Sequence, residues 1–219
     1  MKTILFQGDS ITDANRVREC AEHHNGHGYP TLVSARISYQ YPGKYKILNK
    51  GIGGDRVVNL LERINRDIIN LTPDYMSVLI GVNDVWAGIR FQDGTPADVY
   101  EEVYGLVIKE TKKSLPDIKI AVLGPFVLES QSNKEYYTQF RKGVEERAAA
   151  AKRIAEKYGL TYIPLQEKFD EAAEQSGNTA DWLADGVHPT SAGHELIARE
   201  WCEKFFDKII KEKEELSKR

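Results

Sequence analysis

The chain has 219 residues, 41% of them hydrophobic and 29% charged, with a formal net charge of −3. That is enough to bury one sizeable core without a second domain. The acidic balance supplies no basic field for nucleic acid or an anionic membrane, and no apolar run approaches the roughly 20 residues that span a bilayer.

The first stretch, Lys2 to Asp13, reads KTILFQGDSITD. One lysine ahead of Ile4-Leu5-Phe6 is too short for a signal-peptide core, and the apolar run reads as a strand buried on both faces. Four more strands are expected at Tyr45–Asn49, Tyr75–Ile80, Ile118–Leu123 and Thr161–Leu165, each short and rich in Ile, Val, Leu or Tyr. Between the second and third, Val57, Leu61, Ile64 and Ile68 recur on one helix face. Pro96 to Ser114 predicts a helix with Val99, Val103, Leu106 and Val107 inward. Lys134 to Tyr158 predicts another, striped by Phe140, Val144, Ala148, Ala151, Ala155 and Tyr158 and ended by Gly159. Thr190 or Ser191 caps a last helix carrying Ile197, Trp201, Phe205 and Ile209. Alternating strands and helices predict a single-domain, three-layer α/β/α architecture over residues 1–219 with a five-stranded parallel sheet.

Four of the strands end in glycine, at Gly8, Gly51, Gly81 and Gly124. In a parallel sheet these lie on one edge, so Asp9-Ser10, Ile52-Gly53-Gly54 and Val82-Asn83-Asp84 gather in loops at one rim. Open α/β sheets bind their ligands at that rim.

Ser10 by itself reads as a turn or helix N-cap residue. Asp185-Gly-Val-His188-Pro189 changes its meaning. A base for serine must be a near-neutral imidazole held in one tautomer by an acceptor, and an aspartate three residues earlier can be that acceptor. Ester cleavage also needs donors for the developing oxyanion. Ser10 N–H, Gly54 N–H and the Asn83 amide could form such a trio.

These four segments resemble the blocks of the SGNH, or GDSL-type, hydrolases: Gly-Asp-Ser-Ile-Thr (8–12), Asn49-Lys-Gly-Ile-Gly-Gly54, Gly81-Val-Asn-Asp84 and Asp185-Gly-Val-His-Pro189. They occur in the family's order, with Ile11 where the name-giving leucine would stand. The resemblance implies a flavodoxin-like fold, Ser10 as nucleophile, His188 as base and then acid, and Asp185 as its orienting partner. Gly54 and Asn83 become oxyanion donors beside Ser10 N–H. Within the family, the chain looks most like intracellular carbohydrate acetyl esterases acting on acetylated xylo-oligosaccharides. Gly186 stands where such esterases often carry arginine, which bears on substrate contacts from that loop and leaves the triad intact.

Trp86, Trp182 and Asp9 complete the expected substrate-binding set: the two indoles as plates for a sugar ring or an acyl wall, Asp9 as the residue shaping the turn that presents Ser10. The cluster His23, His24 and His27 has spacings that could hold a metal, yet it lies in a glycine-rich loop without cysteine. It reads as a site-edge loop; the mechanism requires neither metal nor cofactor. His194 reads as structural. Cys20 and Cys202 are expected as free thiols, consistent with the cytoplasm. The expected partner is a small acetylated carbohydrate, with no nucleic acid or membrane, and the resemblance favours a homo-oligomer. Rival readings are a lysophospholipase, thioesterase or arylesterase on the same triad, and a non-catalytic small-ligand module.

Overall fold

The computed structural model describes residues 1–18 and 24–211. Strands β1 (Lys2–Gly8), β2 (Tyr45–Asn49), β3 (Tyr75–Leu79), β4 (Lys119–Leu123) and β5 (Thr161–Ile163) form one parallel sheet. Its order is β2-β1-β3-β4-β5, with Ile4 beside both Ile47 and Tyr75. The helices are α1 (Ser10–Asp13), α2 (Tyr29–Gln40), α3 (Val57–Glu62), α4 (Ile64–Asp67), α5 (Val82–Phe91), α6 (Ala97–Ser114), α7 (Tyr137–Tyr158), α8 (Leu165–Ser176) and α9 (Ser191–Trp201). A π-helical extension, Cys202–Lys211, continues α9.

Period-two alternation sends neighbouring strand residues to opposite faces. Ile4 and Phe6 join a cluster with Tyr29, Val33 and Ile37 of α2 and Ile197 and Trp201 of α9. Leu5 joins the opposite cluster with Val57 and Leu60 of α3 and Tyr100, Tyr104 and Val107 of α6. The sheet is therefore covered on both sides, which explains why β1 reads as a continuous apolar run.

Three departures from the sequence expectations have local causes. The helix expected through Val57, Leu61, Ile64 and Ile68 breaks at Arg63 into α3 and α4, and the Arg63 side chain turns inward under the sheet's rim. On α6 the buried residues are Tyr100, Tyr104, Val107, Ile108 and Thr111, whereas Val99 and Leu106 are 39% and 40% exposed. The two tyrosine rings pack edge to face at 5.7 Å, and the Tyr100 hydroxyl donates to the Ile80 carbonyl at 3.0 Å. Two large rings with one satisfied hydroxyl rotate the helix away from its valine face. On α7, Phe140, Val144, Ala151 and Ala155 are buried as expected; Ala148 and Tyr158 are only half-buried, and Arg147 and Ile154 are buried beside them. Gly159 does close α7, in the left-handed region at φ +63.

Thr190 caps α9, its hydroxyl accepting the Gly193 N–H at 3.2 Å. Of the stripe expected beyond it, Ile197, Trp201 and Phe205 are fully buried; the Ile209 side chain lies outside what the structure describes. The sheet order reverses direction at β1, between β2 and β3. The loops leaving β1 and β3 diverge there and open a crevice, so Ser10 and Asn83 come to its two sides.

Trp201 is wholly buried, with ring centroids 5.2 Å from Phe6 and 5.4 Å from Phe205. Trp201→Ala is expected to cost about 3–5 kcal/mol of stability in urea unfolding; a loss under about 1 kcal/mol would mean that the core repacks around the gap.

Candidate active site

Ser10 begins α1, one residue beyond the end of β1. Asp9 caps that turn, its Oδ1 accepting the Ile11 N–H at 3.0 Å. The Ser10 hydroxyl lies 3.0 Å from His188 Nε2, and His188 Nδ1 lies 2.7 Å from Asp185 Oδ2. An ionised carboxylate can only accept, so Nδ1 carries the ring proton. That leaves Nε2 with a lone pair facing the serine hydroxyl.

The Asp185 loop is built to keep this carboxylate charged. Asp185 Oδ1 accepts the Val187 N–H at 2.9 Å and the His188 N–H at 2.7 Å. Partial burial opposes ionisation of Asp185, but the bonds from His188 and from the two backbone groups outweigh it and hold the carboxyl well below the usual range. The same side-chain bond raises the His188 imidazole above its ordinary value, against partial burial. A second loop braces the first. Ser130 Oγ donates to the Asp185 carbonyl at 2.6 Å, and the Leu128 N–H donates to the Gly186 carbonyl at 2.9 Å. Gly186 itself sits at φ +89, where a Cβ would lie 2.5 Å from the Leu128 carbonyl oxygen and closer still to the Asn133 amide. No side chain fits there, so this loop cannot present an arginine to a substrate.

On the far side of the crevice, Ile52 to Asp55 form a turn closed by the Asp55 N–H on the Ile52 carbonyl at 3.1 Å. Gly54 takes its third position at φ +83, as a type II turn requires. Asp13 Oδ2 accepts the Gly53 N–H at 3.1 Å, tying this turn to α1. Asn83 lies in the first turn of α5 rather than in a loop. Its amide donates to the Asp55 carbonyl at 3.1 Å, which spends one of its two N–H groups and leaves the other for a ligand.

The remaining expected residues divide. Asp9 is 1% exposed, with Oδ2 buried and unpartnered, so it does not reach a substrate. Burial pushes its carboxyl up to about 7, against the Ile11 bond and the His188 charge. Trp182 faces a groove between α8 and α9, and its indole N–H donates to Ser176 Oγ at 3.0 Å; it does not line the cavity beside Ser10. Trp86, one turn beyond Asn83, packs its ring 5.4 Å from Tyr136 and 5.6 Å from Phe140, with the Arg90 guanidinium 5.6 Å from its centroid. His24 is exposed, His27 borders the Ser10 cavity, and His23 lies outside the described residues. His194 Nδ1 accepts the Tyr29 N–H at 3.1 Å. Among the described residues no group of three or more His, Cys, Asp or Glu could hold a metal.

Sequence reasoning missed the supports. Arg63 is 6% exposed and donates to Asp55 Oδ2 at 2.8 Å, Gln7 Oε1 at 2.7 Å, the Lys50 carbonyl at 2.9 Å and the Gly8 carbonyl at 3.3 Å. Asn49, at the end of β2, ties that strand to α1 and to the segment before α2, its amide donating to the Thr12 and Asn25 carbonyls at 2.6 and 2.9 Å. Neither residue carries a sequence signal for this. Asn49 opens the second family block, but a block does not say what its asparagine holds.

A hydroxyl, an imidazole and a carboxylate in hydrogen-bonded series, at the switch point of a parallel sheet, make up the arrangement serine hydrolases use. Residues 6–196 match the profile of the GDSL-like Lipase/Acylhydrolase family, and the chain belongs to it. It is a carboxylic ester hydrolase. It is 32% identical over 206 residues to an acetylxylan esterase of Geobacillus stearothermophilus, covering 90% of each chain. The crystal structure of an acetylxylan esterase from that organism superposes with a TM-score of 0.82 at 31% identity, covering 93% of both chains. Catalytic mutants of that enzyme altered at a serine and at an aspartate have the same fold, with TM-scores of 0.82 and 0.83. An α/β hydrolase from the metagenome of Lake Arreo, Spain, matches at a TM-score of 0.82 and 26% identity, covering 93% of this chain and 94% of its own.

An NMR titration of the His188 ring is expected to give a pKa above the ordinary value of about 6.5, and Asp185→Asn to lower it, because the hydrogen bond and charge that favour the imidazolium are removed. An unchanged titration in the variant would mean that the pair is not hydrogen-bonded in solution.

Proposed function

We propose that the protein is a serine esterase that removes O-acetyl groups from carbohydrates, with acetylated xylo-oligosaccharides as the substrate class. The observation that carries the mechanism is the unbroken series Ser10–His188–Asp185, at 3.0 and 2.7 Å. His188 takes the Ser10 proton as the oxygen attacks the acetyl carbonyl. The oxyanion then sits among the N–H groups of Ser10 and Gly54 and the free Asn83 amide hydrogen. His188 passes its proton to the departing sugar oxygen; a water, activated by the same ring, later releases acetate and regenerates Ser10. Trp86 walls the acyl side, one helical turn from Asn83. The similarity to an acetylxylan esterase across 90% of the chain supports the substrate class.

The same reading covers one domain, residues 1–219, needing no metal or cofactor and no nucleic-acid partner, working in the cytoplasm as a homo-oligomer. In support of the compartment, Cys202 is a free thiol whose pKa burial pushes up to about 11. Size-exclusion light scattering that returns a monomer would refute the assembly.

Ser10→Ala is expected to lower kcat at least about 10⁴-fold while leaving thermal unfolding nearly unchanged. Intact-mass analysis after treatment with a serine-directed phosphonate should show one adduct in the wild type and none in the variant; an adduct on another serine would overturn the assignment. Over p-nitrophenyl esters the rate should be highest for acetate and fall with chain length. A rise from acetate to octanoate would favour a lysophospholipase or thioesterase instead.

A further inference from the structure

A cavity of about 280 Å³ opens beside Ser10, starting at His188 and Pro189 and running past Asn15, His27 and His194. The acyl-transfer chemistry uses none of the last three, and neither Asn83 nor Trp86 lines the space.

His194 is the informative group. The residue is 7% exposed, and Nδ1 accepts the Tyr29 N–H at 3.1 Å, so the ring proton resides on Nε2. Burial, with the nearby His27 and His188 charges, lowers its pKa to about 4, and the neutral tautomer persists at neutral pH. Nε2–H has no partner among the described residues. It is not among the buried unpartnered polar atoms, so with His194 lining the cavity this fixed donor is available to a ligand acceptor there. Two further polar groups line the same cavity. His27 is exposed, anchored by its own N–H on the Ala14 carbonyl at 2.9 Å. Asn15 holds a left-handed conformation at φ +57, one of the few residue types that tolerates it, and presents an exposed amide.

We propose that this cavity is the alcohol-side subsite, which receives the sugar ring being deacetylated and binds its hydroxyls through His194 Nε2–H, His27 and Asn15. The proposal rests on the carbohydrate esterase reading above. The leaving oxygen must come within hydrogen-bond reach of His188 Nε2 to collect its proton, and the cavity begins there. A sugar ring offers hydroxyls that both donate and accept, matching a fixed N–H donor, an imidazole and an amide. A hydrocarbon chain in the same space would displace water from His194 and offer it no acceptor. The volume lies at the small end for ligand pockets and suits one ring better than a long chain.

The test compares acetylated xylobiose with p-nitrophenyl acetate, whose alcohol has no sugar hydroxyls. His27→Ala removes an exposed ring, and His194→Asn keeps an acceptor for the Tyr29 N–H while removing the Nε2 donor. Each variant is expected to lower kcat/KM on acetylated xylobiose about tenfold more than on p-nitrophenyl acetate, chiefly through KM. Equal losses on both substrates, or a loss confined to kcat, overturn the subsite. So does an unchanged ratio accompanied by altered discrimination between acetate and butyrate, which would give the cavity to the acyl group. A wild type that hydrolyses p-nitrophenyl acetate but not acetylated xylobiose would instead bring down the carbohydrate reading, and the subsite with it.

Discussion

The Arg63 guanidinium, buried beneath the sheet's rim, joins the pieces of this site that lie far apart in sequence. It bonds the carbonyl of Gly8, two residues before Ser10, and the carbonyl of Lys50 and carboxylate of Asp55 on either side of the Gly54 turn. Gln7 and Asp67 complete its shell, at 2.7 and 3.5 Å. A charge taken out of water must be compensated by partners in good geometry, and each compensating group is thereby held in place. Removing such a cation would strand Asp55, whose carboxyl burial already raises. The strand that leads to Ser10 and the turn that holds Gly54 are thus fixed relative to each other by one buried side chain.

The opposite wall of the crevice is held differently. The Asp185 loop has no buried cation; backbone N–H groups from Val187 and His188 and the strap at Leu128 and Ser130 shape it. Here the bound charge is the one the proposed mechanism requires. The Asp185 carboxylate stays ionised and the His188 imidazole becomes more basic, while Asp9, only a residue from Ser10, is pushed the other way by burial. Three titratable groups around one serine are thereby separated by environment, one held as an anion, one made a better base and one made a weaker acid.

Much of the architecture was legible because strands and helices leave different periods in a sequence. All five strands stand within two residues of their expected limits, and the parallel order follows from their alternation with helices. Misreadings occurred where size or satisfaction of polar atoms outranked simple hydrophobicity. Tyr100 and Tyr104 won the inner face of α6 from Val99 and Leu106, and Arg63 cut one expected helix into two. Asn83 was expected in a loop, because a Gly-Val-Asn-Asp sequence after a strand gives little sign that it is the first turn of α5.

The sequence by itself determined which residues meet: Ser10, Asp185 and His188 stand in hydrogen-bonded series as expected, and Asp-x-x-His places acceptor and imidazole on one short loop where local geometry suffices. It determined the rim as well, since strand-ending glycines of a parallel sheet share an edge. Only the tertiary structure decided which expected contacts face that rim. It buried Asp9, turned Trp182 into the groove between α8 and α9, and brought His194, more than 160 residues along the chain, beside Ser10 and His27. The reason is physical: a short loop's geometry is encoded in its own few dihedral angles, whereas the direction of a side chain on a helix is settled by what packs against it, and those partners are distant in sequence.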